Sequence, residues 1–433
     1  DSILKSPKRA RWDGVIVEET SKRTVRFILQ EPYAPFLQNT TLGILPKHIW
    51  EPLSDPSKFE YNIYNREPIG SGPYKWVSTT LDNKGVPLYY DLTAFDKFAL
   101  EKPYIDNIRI RFYSNEENLL KALRGGEIQS TAYISPEAAG KLSQEGFRVD
   151  KTPLLHIFGV FFNQNQKSYF ADKAVRTALN DTVDKERIIN EVFYGYATPI
   201  DGPLPPGALG YEAYRVNNKT FAERIADARA LLIKDGWTYD EEKRVMTKKV
   251  KKETQELSFS ISTISPSVIP ALKSAAAIIK ENWERLGARV DVKVFETKGD
   301  LSQNAIRPRK YDALLFGEII GRDSDPFAFW HSSQRLDPGL NIALYANIKA
   351  DKALEEGRSL SDADKRTEKY QAFGGMVKDD VPAAFVYSPD LTYVLPKDIG
   401  GVTIGHVVTP AERFTAVHTW YLEKANVWKI FVK

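Results

Sequence analysis

Between Gly321 and Ser332 the sequence gathers side chains of nearly every kind that a binding or catalytic site uses: Arg322, Asp323, Asp325, Phe327, Trp330, His331 and Ser332. An aspartate here can pair with a ligand ammonium and an arginine with a carboxylate, in both cases through charge-assisted hydrogen bonds. His331-Ser332-Ser333-Gln334 offers donors and acceptors suited to a peptide backbone. Each residue also has a plainer reading. Asp323 can cap the turn into Pro326, the aromatic side chains can belong to the core, and a serine can cap a helix.

The same residue types invite a hydrolase reading, because Asp, His and Ser compose a nucleophilic triad. Adjacent His331 and Ser332 do not by spacing form the nucleophile–base hydrogen bond, and no Gly-x-Ser-x-Gly elbow occurs. The expectation is therefore a protein that is not an enzyme. The chain has no cysteine, which excludes disulfides, thiolate zinc sites and cysteine nucleophiles. Its 5 histidines (48, 156, 331, 406 and 418) are scattered, without a His-Glu-x-x-His pair, so neither a metal nor a cofactor is expected. The glycines of Gly70-Ser71-Gly72-Pro73 read as a tight turn, since no Lys-Ser/Thr ending or following helix would make them a phosphate loop.

These residues need a frame. The apolar run Ala313 to Phe316 predicts a buried strand leading into them, Gly317 and Gly321 loosen the backbone, and Pro326 stops any continuing helix. Upstream, residues 15–29 predict two strands around a turn, and Tyr74–Val77, Leu88–Ala94 and Ile108–Tyr113 predict further strands. From residue 115 onward helices and strands alternate, which argues α/β. Ile157 to Phe162 is the most continuously apolar strand, and Asp172 caps a helix whose face is Val175, Ala178 and Leu179. Thr198 to Gly207 is too rich in proline for a regular element. A strand–helix–strand unit follows over residues 257–295, and helices are expected at 350–357 and 362–380. Lys248 to Lys252 reads as a solvated loop. The end of the chain reads as β-rich, with strands at 383–388, 392–395, 402–404, 414–420 and 427–431.

With 433 residues, 42% of them hydrophobic and 27% charged, the chain has the composition of a globular protein of two domains. Its 60 basic and 57 acidic side chains are too nearly balanced to suggest nucleic acid or an anionic membrane as partner. No apolar run approaches the roughly 20 residues of a membrane span. The sequence opens DSILKSPKRARWDG, without a signal peptide, and a mature, processed or truncated start is expected.

Four motifs, taken in order, resemble a known family. They are Ile69-Gly70-Ser71-Gly72-Pro73-Tyr74; Phe162-Asn163 with Phe170 to Leu179; the Asp184-Lys185 helix with the proline run after it; and Asp323-Ser324-Asp325-Pro326. The chain resembles the peptide-binding class of extracellular solute-binding proteins, the receptors of bacterial ABC importers that include dipeptide-, oligopeptide- and nickel-binding members. The resemblance implies a two-lobed α/β fold of the periplasmic-binding-protein type with two hinge crossovers, near Gly159–Asn163 and Val386–Leu391. Residues 67–158 and 389–433 would form the first lobe and 159–388 the second. The first lobe would be shortened at its N-terminus, with residues 1–66 a remnant of its extra subdomain.

The implied function is capture of a peptide or peptide-like solute outside the cytoplasmic membrane by a monomer that delivers it to a permease. An oligosaccharide or a metal chelate is the alternative ligand, and a secreted hydrolase the alternative of another class. The resemblance also implies that an aspartate in the loop after strand 313–316 pairs with the peptide ammonium. Asp323 is the candidate. The loop is one residue longer than in relatives with a Gly-Trp opening, so strict counting falls on Arg322, which would favour an anion. Asp325, Phe327, Trp330, His331, Ser332 and Asn163 complete the expected ligand contacts.

Overall fold

The computed structural model describes residues 12–51, 59 and 61–422. The chain divides into two compact units. One holds Phe36–Thr152 with the described residues up to Gln30 and from Thr392 on; the other holds Glu31–Pro35 and Pro153–Leu391.

The first unit begins with an antiparallel hairpin, Ile16–Ser21 against Thr24–Ile28, as the alternation of apolar residues predicts. A three-stranded antiparallel sheet follows in the order Tyr74–Leu81, Pro87–Ala94, Asn107–Arg111. Two helices come next, Glu116–Arg124 and Pro136–Gln144. The side chain of Asn115 accepts from the backbone of Asn118 at the first, and Ser135 from that of Ala138 at the second. Each cap satisfies a backbone N–H that a helix start leaves without a partner. A small core of Tyr393, Leu395, Ile399, Val417 and Trp420 packs with Tyr74 and Ile108.

The β-rich tail is corrected. Residues 402–404 form no strand, and 414–420 carry the end of one 3-10 helix, Pro410–Phe414, and all of another, Val417–Thr419. Among the described residues after Leu395, only Ile399–Gly400 and Tyr421–Leu422 pair as strands. Single apolar residues alternating with prolines and polar turns mimic a strand pattern while serving as isolated core plugs. The strand expected at 427–431 lies outside the described residues.

The second unit is built on a mixed sheet. Arg289–Phe295, Ser258–Ile264 and Ala313–Ile319 run parallel; His156–Phe162 is antiparallel to the last of these and to Ala383–Leu395. Ala197–Pro199 pairs with Tyr387–Pro389. The helix Pro270–Leu286 makes the crossover between the first two parallel strands and ends at Gly287, whose φ of 113° only glycine adopts without strain. The helix Lys173–Asp181 starts at Asp172, whose carboxylate accepts from the backbone of Ala174. Its buried face, Val175, Ala178 and Leu179, is the one the sequence periodicity predicts. The indole of Trp283 joins the two helices by donating to the Leu179 carbonyl at 2.8 Å.

Two sequence expectations fail in this unit. Lys248-Lys249-Val250 belongs to the strand Val245–Val250, in a three-stranded antiparallel ribbon with Thr238–Asp240 and Glu253–Glu256. Lys248 is not simply solvated, because its ammonium lies 2.7 Å from Asp235. Ala383–Leu395 is one continuous strand through Pro389, where the expectation was two.

Candidate functional site

The strand Ala313–Ile319 delivers the chain to the candidate residues. Ala313, Leu314 and Leu315 are buried; Phe316 and Gly317 are half-buried, and Ile319 is 56% exposed. Gly317 has a packing role. The ring of Phe158 lies over it so closely that a Cβ would stand 2.6 Å from a ring carbon. Phe158 in turn stacks on Tyr387, with centroids 4.8 Å apart and planes within 4°.

The next strand residue facing inward is Glu318, 2% exposed in an otherwise apolar core. Its Oε2 accepts from Trp330 Nε1 at 3.0 Å, while Oε1 has no partner. Burial pushes this carboxyl well above the usual carboxylate range, and the indole hydrogen bond offsets only part of that.

Gly321 to Asp325 then form a tightly held turn. Ser324 N donates to the Gly321 carbonyl at 2.9 Å, and Ser324 adopts a left-handed φ of 58°. The buried Ser324 hydroxyl accepts from the backbone N–H of Leu209, which ties the turn to the proline-rich segment. Arg366 donates to the Asp323 carbonyl at 3.0 Å. Asp325 accepts three times: from Phe327 N at 3.2 Å, from Arg358 Nη2 at 3.0 Å and from Tyr33 Oη at 3.3 Å. Burial, and next the neighbouring Asp325 carboxylate, raise the Tyr33 phenol above its ordinary value. The Arg358 guanidinium also lies over two rings, 4.1 Å from the centroid of Phe327 and 5.0 Å from that of Tyr33.

The eight candidates fare differently. Arg322 is exposed and Asp323 half-buried, side by side on the fixed turn. Asp325 is an internal anchor, its side chain only 10% exposed. Phe327 is half-buried between Arg358 and His331, whose ring stacks on it at 4.2 Å. His331 accepts the Ser333 N–H at Nδ1, and its Nε2 lies 3.2 Å from a Glu355 carboxylate oxygen. The Ser332 hydroxyl donates to Asp351 at 2.6 Å. Two expectations are corrected. Trp330 does not line a cleft: it is fully buried against Phe161, Tyr345, Phe373 and Phe385. Asn163 is fully buried too, donating to the Arg309 carbonyl at 2.8 Å and accepting from Asn165 N.

Sequence reasoning missed Tyr33, Arg358, Arg366 and Leu209, which fix the turn from as far as 292 residues away. An Arg or Tyr isolated in the sequence carries no local signal of such a contact. The one available hint was Glu318, a charge in the middle of an apolar strand.

Among the described residues no group of His, Cys, Asp and Glu could hold a metal ion, and no helix is long and apolar enough to cross a membrane. The chain is 25% identical over 413 residues to the oligopeptide-binding protein AppA of Bacillus subtilis, covering 94% of this chain and 72% of that protein. Among solved structures it is similar to the ABC transporter-associated periplasmic binding protein DppA from Helicobacter pylori in complex with the peptide STSA. There the TM-score is 0.67 and the identity 22%, with 96% of this chain and 76% of the other covered. It is also similar to NikZ from Campylobacter jejuni in complex with Ni(L-His), with a TM-score of 0.69 and 24% identity over 96% and 80% of the two chains. The fold is thus the two-lobed α/β fold of periplasmic binding proteins. The family model of bacterial extracellular solute-binding proteins, family 5 (Middle), matches residues 3–337, and the chain belongs to that family.

Proposed function

We propose that this chain is the receptor of an ABC importer, capturing a peptide or peptide-like solute outside the cytoplasmic membrane and delivering it to a permease without chemical change. The observation that carries this reading is the correspondence, along 94% of the chain, with an oligopeptide-binding protein. In this reading residues 67–158 and 389–433 form one lobe, 159–388 the other, and 1–66 part of an extra subdomain of the first. Asp323 takes a ligand ammonium and Arg322 a carboxylate or backbone carbonyl. A rigid turn suits that role, because side chains held in place before binding lose little freedom on binding.

A receptor without catalysis also accounts for His331 and Ser332. The Ser332 hydroxyl is bonded to Asp351 and the His331 ring to Ser333 and Glu355. That arrangement buttresses a turn, whereas a nucleophile needs its base within hydrogen-bond reach. The near balance of 60 basic and 57 acidic side chains speaks against a nucleic-acid partner.

The test is mass spectrometry of ligands released by denaturing the purified protein, followed by calorimetric titration with a defined peptide pool. Co-purified peptides and saturable binding are expected. A released sugar or metal chelate moves the assignment to that solute. An empty protein giving no heat with any peptide sinks the peptide reading.

A further inference from the structure

The second unit contains a cavity of about 360 Å³ that shares no lining residue with the Gly321–Ser332 turn. It is walled by the helix Lys173–Asp181, by Val183 and Lys185, by Tyr214 to Asn217, and by the segment from Val377 to Phe385. At this size it can enclose a small organic molecule.

Two cations on its wall are more than nine-tenths buried. Lys185 is 5% exposed, and its ammonium has one hydrogen bond, to the Ile200 carbonyl at 2.9 Å. The Tyr214 ring centroid is 5.2 Å from the same nitrogen. An ammonium carries three donors, of which the Ile200 carbonyl takes one, while the Asp201, Asp181 and Glu186 carboxylates act on the charge from further off. Arg224 is 9% exposed; it donates from Nη1 to the Val183 carbonyl and lies 3.4 Å from Asp184, while its buried Nε has no acceptor. Burial lowers the Lys185 pKa to about 8, the physical sign of a cation short of solvation.

The remaining charges on the wall do not cancel these two. Lys378 is engaged with Asp201 at 2.9 Å, and the Asp181 carboxylate lies within the field of both Lys185 and Arg224, but the five cations of the lining (Lys173, Lys185, Arg215, Arg224 and Lys378) outnumber its three carboxylates (Asp181, Asp201 and Asp379). The uncharged lining is mixed: Thr177, Asn180, Tyr214 and Asn217 are polar, while Val183, Val377, Val381, Ala383 and Phe385 supply an apolar floor. A hydrated inorganic ion gains nothing from such a floor, whereas a molecule with an anionic head and an apolar body gains from both.

We propose that this cavity binds a small organic carboxylate. The carboxylate oxygens accept from Lys185 and Arg224, and the apolar body packs on Val377, Val381 and Phe385. The site is separate from the one proposed for peptide capture, so the two assignments stand or fall independently.

Sodium benzoate is the probe, titrated into the full chain by ligand-observed NMR and calorimetry, with inorganic phosphate as the comparison. Benzoate should bind saturably and more tightly than phosphate. Lys185→Met should weaken it at least about tenfold, the scale of a lost charge-assisted hydrogen bond, and Lys185→Arg should restore part of it. Peptide binding should be the same in wild type and Lys185→Met. Should Lys185→Met not fold, Arg224→Gln takes its place with the same expected loss. No saturable benzoate binding, tighter phosphate binding, or unchanged benzoate affinity in the variant that folds would each overturn the proposal; the first outcome would mark a water-filled cavity.

Discussion

Arg358 donates from Nη2 to Oδ2 of Asp325 at 3.0 Å while its guanidinium lies over the rings of Phe327 and Tyr33, so one side chain closes both the charge and the aromatic contacts of the candidate turn. Asp325 is 10% exposed and Arg358 30%, a largely desolvated pair. Removing Arg358 leaves the Asp325 charge buried with only the Phe327 N–H and the Tyr33 hydroxyl as donors. Arg358→Met should cost about 2–3 kcal/mol of stability in urea denaturation, below the full range for buried pairs because Arg358 retains some solvent. Arg358→Lys should recover less than half, since an ammonium neither forks nor stacks as a guanidinium does. A Lys variant as stable as wild type would show that charge alone matters there.

Glu318 makes stability depend on pH. Its carboxyl, above the ordinary value of 4.5, keeps its proton in the folded chain at pH values where the unfolded chain has lost it. The unfolded state then binds fewer protons, so stability falls as pH rises from the unfolded value to the folded one. Glu318→Gln should flatten that decline as pH rises above 4.5, and urea midpoints across the range measure it. Parallel wild-type and variant curves would remove Glu318 as the cause.

Gly317→Ala should destabilise the second unit by about 1–3 kcal/mol, as overpacking does. The new methyl would stand 2.6 Å from the Phe158 ring, which is held in turn by its stack on Tyr387. Shortening that ring in Phe158→Leu should relieve much of the loss, so the two changes together cost less than their sum. Thermal denaturation of the four-member cycle reads this directly, and additive costs would contradict the contact.

The role given to Asp323 separates ligands by their amino terminus. Asp323→Asn should weaken binding of a free-amine peptide about tenfold and leave its N-acetylated form unchanged, as expected for a charge-assisted bond to an ammonium. Calorimetry with the matched pair decides it. An equal loss for both peptides would reduce Asp323 to a support of the turn.

The sequence by itself determined the elements whose signals are local. Asp172, Ser135 and Gly287 mark helix ends because a cap is made within three or four residues, and the apolar run at 157–162 marks a strand because burial on both faces needs no distant information. The ordered motifs also carried the family. Tertiary structure alone decided which candidates keep a surface. Trp330 and Asn163 have the residue types of ligand contacts, yet Glu318 and Arg309 draw them into the core. Asp325 became an anchor because Tyr33 and Arg358 arrive from remote parts of the chain. The buried donors of Lys185 and Arg224 likewise exist only where several distant segments wall off one cavity from water. Charge and hydrogen-bonding capacity are written in the residue, but whether solvent, protein or ligand satisfies them is a property of the folded surroundings.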